Sequence, residues 1–241
     1  MGKKKQPKKA IPKKKVKKKK VKIKYRNVLL FLLILLLLGY GIYALLRMRI
    51  TNIYIQGNTY LSDQEIIEKA DVASYPTVLE TLSFFLEKKL TQEPLLAEVK
   101  ISHKNIRELH IKVVENRPLF YNSVKEEVVL KDGKTIKGNY PIPVLLNYVP
   151  DKKYKIFKQK MQEISTTILG KISEIKYDPN DKDDERFLLS MNDGNYVYLS
   201  LSKFNKIDSY LDIMLEIEKK FDQKKGILYL DSGGYFEVLE N

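Results

Sequence analysis

The stretch Val28–Leu46 reads VLLFLLILLLLGYGIYALL, nineteen residues without a charge, an amide or a proline. A helix of that length rises about 28 Å, close to the roughly 30 Å hydrocarbon core of a bilayer. Only a helix satisfies its own backbone in lipid. Fourteen of the residues are Leu, Ile, Val or Phe, each favouring insertion by about 0.3–0.6 kcal/mol. A buried helix of a soluble domain would keep a polar stripe, and this run has none. The sequence therefore predicts a transmembrane helix over Val28–Leu46, and everything else in the chain must be read relative to it.

The flanks set its direction. Residues 1–27 hold fifteen Lys or Arg and no Asp or Glu, whereas only Arg47 and Arg49 follow closely on the other side. That asymmetry places the N-terminus in the cytoplasm and the chain from Arg47 onward outside, with Tyr25 near one interface and Tyr40 and Tyr43 near the other. A cleaved signal peptide would have a shorter basic region, an apolar core of at most about fifteen residues and an A-x-A-like site, so an uncleaved single anchor is expected. The tail, residues 1–27, is lysine-rich low complexity that cannot bury enough apolar surface to order itself. Each basic residue near an anionic leaflet contributes about 1 kcal/mol of adhesion. The tail's fifteen positive charges exceed the chain's formal +14 and leave −1 for the rest, so no nucleic-acid footprint is expected outside. There is no cysteine, which excludes a catalytic thiol, a Cys-ligated metal and a redox pair.

The first outer domain is expected over about residues 50–118. Ile53 and Ile55 alternate with Tyr54 and Gln56, the period of a half-buried strand ended by Gly57-Asn58. Ser62–Glu65 has capping-box spacing and opens a short helix with Ile66, Ile67 and Ala70. Thr77–Glu80 has the same spacing, predicting a longer helix with Val78, Leu82, Phe85, Leu86 and Leu90 on one face, closed before Pro94. Val99 and Ile101, then Leu109, Ile111 and Val113, alternate with polar residues and predict an antiparallel hairpin.

The remainder, about residues 119–241, is dominated by hairpins. Asp132-Gly133 lies between Val128–Leu130 and Thr135-Ile136, and Asp193-Gly194 between Phe187–Met191 and Tyr196–Leu199, a strong turn signal between alternating runs. Helical periodicity covers about Lys153–Leu169 and about Ser202–Phe221. Ile227–Leu230 and Tyr235–Leu239 are expected as closing strands around Gly233-Gly234.

In this order the residues resemble the FtsQ/DivIB cell-division proteins. The signatures are the "I-x-I-x-G-N" strand end at Ile53–Asn58, the "S-x-x-E-I" helix start at Ser62–Ile66 and the "E-x-R-P" strand end at Glu115–Pro118, all directly after an N-in anchor. The family more often has "E-R-x-P", so Asn116-Arg117 departs slightly, and Leu230-Asp231-Ser232 stands where the family carries an arginine. The resemblance implies an α+β architecture: a single-pass helix, a POTRA (polypeptide-transport-associated) domain of order β-α-α-β-β, and a mixed α/β, β-rich C-terminal domain. It implies a non-catalytic divisome scaffold at the division septum that binds FtsB/DivIC-like and FtsL-like bitopic partners. The partner edge would be the last strand, at Tyr235, Phe236, Glu237 and Val238. That strand lies at the end of the sequence and has neither lysine nor proline to blunt its edge.

Motifs for other chemistry occur only in fragments. Ser173–Lys176 and Ser200–Lys203 match Ser-x-x-Lys, but the accompanying Ser-Asp-Asn and Lys-Thr-Gly of penicillin-binding enzymes are absent. His103 and His110 lack further ligands in sequence. Asp178–Glu185 is acidic, yet Asp183 and Leu189 occupy the positions where a calcium loop needs Gly and Glu. No catalytic residue, metal, cofactor or small-molecule substrate is expected. Two rival classes are a POTRA-bearing export or assembly factor, expected to repeat the module or carry a membrane barrel, and a membrane-anchored wall-modifying enzyme.

Overall fold

The computed structural model describes residues 24–221 and 224–239, so the expectations placed on the tail up to residue 23 lie outside the described residues. The first helix, α1 (Tyr25–Leu46), has no buried residue and is long and apolar enough to cross a membrane. It starts earlier than predicted: Tyr25, Arg26 and Asn27 are helical, with the Lys24 carbonyl accepting from the amides of Asn27 and Val28 at 2.8 and 3.3 Å. A helix's first turn makes few intrahelical bonds and tolerates polar side chains. Apolarity therefore located the middle of the helix better than its start.

Residues 48–241 form a second unit. It begins with β1 (Asn52–Gln56), α2 (Asp63–Ala70), α3 (Ser83–Leu90), β2 (Leu96–His103) and β3 (Glu108–Glu115). The sheet order is β1-β3-β2, with β3 parallel to β1 and antiparallel to β2. Central β3 buries Leu109, Ile111 and Val113, as its alternation requires. The box at Ser62 forms fully, and Ile66 and Ala70 face inward. The box at Thr77 also closes, the Thr77 amide donating to Glu80 Oε2 at 2.7 Å. It makes one turn and not the predicted helix, because Thr77 bridges to Arg49 and α3 begins only at Ser83. Phe85, expected on the inner face, is consequently 60% exposed.

The sequence signatures have physical causes. Gly57 sits at φ +92°, where an added Cβ would run into the Val113 carbonyl. Asn58 Nδ2 donates to Leu61 O and to Asp63 Oδ1 at 2.9 and 2.8 Å. The Glu115 carboxylate accepts the amides of Thr59, Tyr60 and Leu61 at 2.7, 2.7 and 2.8 Å, tying the end of β3 to the β1–α2 loop. Asn116 is buried, donating to Pro94 O at 3.1 Å and accepting from the Asp132 amide at 3.2 Å.

The second sheet comprises β4 (Pro118–Asn122), β5 (Glu127–Leu130), β6 (Thr135–Ile136), β7 (Val144–Leu145), β8 (Ile172–Tyr177), β9 (Arg186–Met191), β10 (Tyr196–Ser200), β11 (Gly226–Tyr229) and β12 (Tyr235–Val238). Their spatial order is β12-β11-β10-β9-β8-β7-β4-β5-β6. The first predicted long helix is two, α4 (Asp151–Glu163) and α5 (Thr166–Leu169). They are separated by extended Ile164, and Ser165 caps α5 by accepting from the Ile168 amide. Arg117 explains the break: its guanidinium donates to Ile164 O at 2.9 Å and Thr166 Oγ1 at 2.7 Å, a cation at the end of α4. The second predicted long helix is a 3₁₀ segment, Leu201–Ser209, leading into α6 (Tyr210–Lys220), with non-helical Lys203 near its start. Phe157 of α4 stacks on Phe187 of β9 at 4.9 Å, and Phe204 meets Phe157 edge-on at 5.8 Å. The helices thus cover one face of the sheet, and β9 alternates buried with half-buried residues accordingly.

Candidate partner-binding edge

Strand β12 occupies one end of the nine-stranded sheet and pairs only with β11 among the described residues. Its position depends on the connection before it. The chain leaves β10, crosses through the 3₁₀ segment and α6, and returns as β11 parallel to β10. The Asp193–Asn195 turn holds that crossover at two points. The Tyr210 hydroxyl, at the head of α6, donates to the Asp193 carboxylate at 2.8 and 3.0 Å. Burial and this bond push the Tyr210 phenol well above its ordinary range. Buried Asn195 accepts the Gly226 amide at 3.0 Å and so starts β11.

Gly226 is required where it stands. A Cβ there would meet the Glu237 carbonyl and the ring of Phe236. Phe236 lies over the glycine and against Phe221 at 5.5 Å between ring centres. The inward residue of β12 is therefore partly buried, while Tyr235 is 52% exposed on the opposite face. The predicted alternation of Tyr235 and Glu237 against Phe236 and Val238 holds.

On the outer face, rings stack across the strands. Tyr198 of β10 lies 5.3 Å from Tyr229 of β11, and Tyr229 lies 4.4 Å from Tyr235 with planes 11° apart. The Arg186 guanidinium of β9 sits 3.4 Å above Tyr198 and pairs with Asp231 at 2.9 Å. Tyr229 also donates to Glu237 Oε2 at 2.9 Å. Burial, then this bond, raise its phenol to about 12. Sequence reasoning named Tyr235–Val238 but missed Arg186, Tyr198 and Tyr229. Period-2 tyrosines in β10 were legible, but which cross-strand neighbours they would meet depends on register.

The register also fixes which backbone groups are free. Val238 opposes Gly226 and Glu237 opposes Ile227, while the Leu239 amide donates to Lys225 O at 2.9 Å. In an antiparallel ladder hydrogen-bonded and non-bonded pairs alternate. Tyr235 and Glu237 thus share the parity of Leu239 and turn their amides toward β11. The N–H and C=O groups of Phe236 and Val238 point away from it, toward the open edge.

The Ser-x-x-Lys residues are engaged in local structure. Ser173 Oγ donates to Ser190 O at 2.9 Å and Lys176 pairs with Asp178 at 2.9 Å. Ser200 and Lys203 line a polar cavity of about 680 Å³ that reaches Tyr235. There Ser200 Oγ lies 3.2 Å from Ser202 Oγ, and the Lys203 ammonium donates to the Asp231 carbonyl. His103 contacts Thr81 Oγ1 at 3.0 Å, while His110 stacks on Tyr54 at 4.7 Å. Within the acidic loop, Asp178 pairs with Lys176 and Asp184 with Lys153, at 2.9 and 2.6 Å.

An apolar N-terminal helix thus precedes a β-α-α-β-β module and a β-rich mixed sheet that ends, among the described residues, in an edge strand. The family model described as POTRA domain, FtsQ-type, matches residues 48–116. Cell division protein DivIB of Bacillus subtilis (strain 168) is 29% identical over 198 residues, covering 78% of this chain and 74% of that protein. DivIB of Bacillus cytotoxicus is 25% identical over 228 residues, covering 91% and 88%. The solved major extracytoplasmic domain of DivIB from Geobacillus stearothermophilus matches 45% of this chain and 96% of its own at 24% identity, with a TM-score of 0.35. Residues 48–116 thus match an FtsQ-type POTRA domain, and the chain is similar to DivIB cell division proteins over most of its length.

Proposed function

We propose that this protein is a non-catalytic scaffold of the division machinery. Its helix α1 anchors it in the cell membrane with the N-terminus in the cytoplasm, and residues 50–118 and 119–241 act outside as a POTRA domain and a β domain. At the septum it binds FtsB/DivIC-like and FtsL-like bitopic proteins. One of them adds a strand to β12, using the outward backbone groups of Phe236 and Val238 for register and Tyr235 and Glu237 for side-chain contact. The observation that carries this reading is the open edge of β12 beside an exposed stacked tyrosine.

The register supplies a clean test. Val238→Pro removes a donor from the open edge and none from the β11 ladder, and proline is tolerated on edges whose amide faces outward. The full-length Val238→Pro protein should keep its thermal transition and lose capture of a DivIC-like partner. Tyr235→Ala should weaken capture by at least about thirtyfold, as expected for truncating a central aromatic anchor. Unchanged affinity in both variants, or in a chain lacking residues 234–241, would place the contact elsewhere.

A further inference from the structure

The residues just beyond α1 hold a second exposed surface, and this one is apolar and basic. The Met48 carbonyl accepts the Val78 amide at 2.9 Å, the Ile50 amide donates to Pro76 O at 2.9 Å, and Arg49 bridges Thr77. On the other side, the Thr51 amide donates to Arg107 O at 2.9 Å and Arg107 Nε to Arg49 O at 3.2 Å. Ser83 Oγ donates to Ile101 O at 3.2 Å, fixing the start of α3 beside the β2–β3 loop. The entry segment 48–51, the 75–85 segment and the 104–107 loop therefore meet at one end of the small sheet.

That end carries apolar side chains turned to solvent. Phe84 and Phe85 are 70% and 60% exposed, with their rings edge-on at 5.7 Å, and Tyr75, Leu79 and Ile106 are exposed beside them. Arg49, Lys104 and Arg107 are exposed at the same end. Glu80, the acidic residue among them, receives the Thr77 amide and hydroxyl. Aromatic rings interleaved with cations are the composition of a lipid interface.

The covalent chain says which surface is within reach. Only Arg47 separates the last residue of α1 from Met48. At about 3.5 Å per residue, the bonded group around Met48 and Arg49 lies within about 10 Å of the helix end. A bilayer's headgroup layer extends about 5–8 Å beyond its hydrocarbon on each side. We propose that this end of the POTRA sheet docks on the leaflet where α1 emerges. Phe84 and Phe85 enter the headgroup–acyl boundary, and Arg49, Lys104 and Arg107 contact anionic phospholipid headgroups. The first module is then held against the membrane by its own surface as well as by its tether.

This inference rests on α1 spanning the membrane, and one preparation tests both. The chain has no tryptophan, so Phe84→Trp, Phe85→Trp and, at the opposite end of β1, Gln56→Trp each install a single fluorescent reporter. The full-length variants are reconstituted into phosphatidylglycerol–phosphatidylcholine vesicles containing acyl-brominated lipid. Retention through an alkaline carbonate wash confirms the span; release would sink the anchor and this proposal together. In retained protein, bromolipid should quench the indole at positions 84 and 85 several-fold more than the one at position 56, and acrylamide should quench it less. Omitting phosphatidylglycerol should narrow the difference. Equal quenching at all three positions overturns the proposal. So does shielding at position 84 that arises only when a bitopic partner is added, since the surface would then be a protein contact.

Discussion

At the scale of single residues, short polar side chains govern how the small sheet closes. Glu115 binds three consecutive backbone amides, and charge-assisted bonds of this kind are stronger than neutral ones. Glu115→Ala should destabilise the protein by about 2 kcal/mol, read as a lower urea midpoint with little change in slope. His103 gives a pH-dependent counterpart. Burial lowers its imidazole below the ordinary value, so the unfolded chain takes up the proton first. The stability it contributes is complete above about pH 6.5 and is lost as pH falls through the depressed value. An NMR titration should place its midpoint below 6.5, and His103→Gln should flatten that part of the stability profile. A midpoint at or above 6.5 would refute the assignment. Such residues were only half legible. Glu115 belonged to a recognised motif, but its three acceptor bonds required the β1–α2 loop to fold over it.

At the scale of elements, what the sequence revealed depended on whether a signal was local. The two Asp-Gly turns lie where their hairpins need them, with Gly133 and Gly194 at φ +87° and +88°. The Ser62 box starts α2. Strands β4, β7 and β8 were not foreseen: β7 has two residues, and the others lack the clean alternation of a strand with one wet face. The first long helical period ran across a break set by a distant group, Arg117, and the second begins as a 3₁₀ segment with non-helical Lys203. Gly226 shows how one position governs an element. Gly226→Ala would push the Phe236 ring and Glu237 backbone off β11, an overpacking cost of about 1–3 kcal/mol. Hydrogen exchange should then speed up at Ile227–Tyr229 while the amides of Leu109–Val113 keep their protection. Equal loosening of both would mean that the two sheets unfold together.

At the scale of the whole molecule, the apolar helix and the folded unit need different surroundings. Helix α1 has no buried residue and is long and apolar enough to cross a membrane, whereas the described residues from 48 onward bury their own core. With fifteen positive charges before Val28, the proposed topology predicts that protease added to wall-stripped cells digests residues beyond Arg49. An epitope in the tail should survive until the membrane is breached. A protected 50–241 fragment would reverse the orientation. The likeness to DivIB proteins, the long apolar helix and the order of the first module could be read before the structure. The tyrosine stack and the outward amides of β12 could not, because both follow from strand register.

The parallel join between β10 and β11 has a consequence in time. The hairpins β8–β9–β10 close over a few residues, but β11 can reach β10 only after the 25 residues between them have looped back. Such closure must come before the contacts that reward it, and it slows folding. The strand that carries the proposed docking edge therefore joins after the β8–β9–β10 hairpins have closed. If the proposed function holds, a newly made molecule passes through an interval in which these hairpins exist and its binding edge does not. Pulse labelling during refolding should show amide protection at Ile227–Tyr229 lagging behind that at Phe187–Leu199, and partner capture should follow the slower phase.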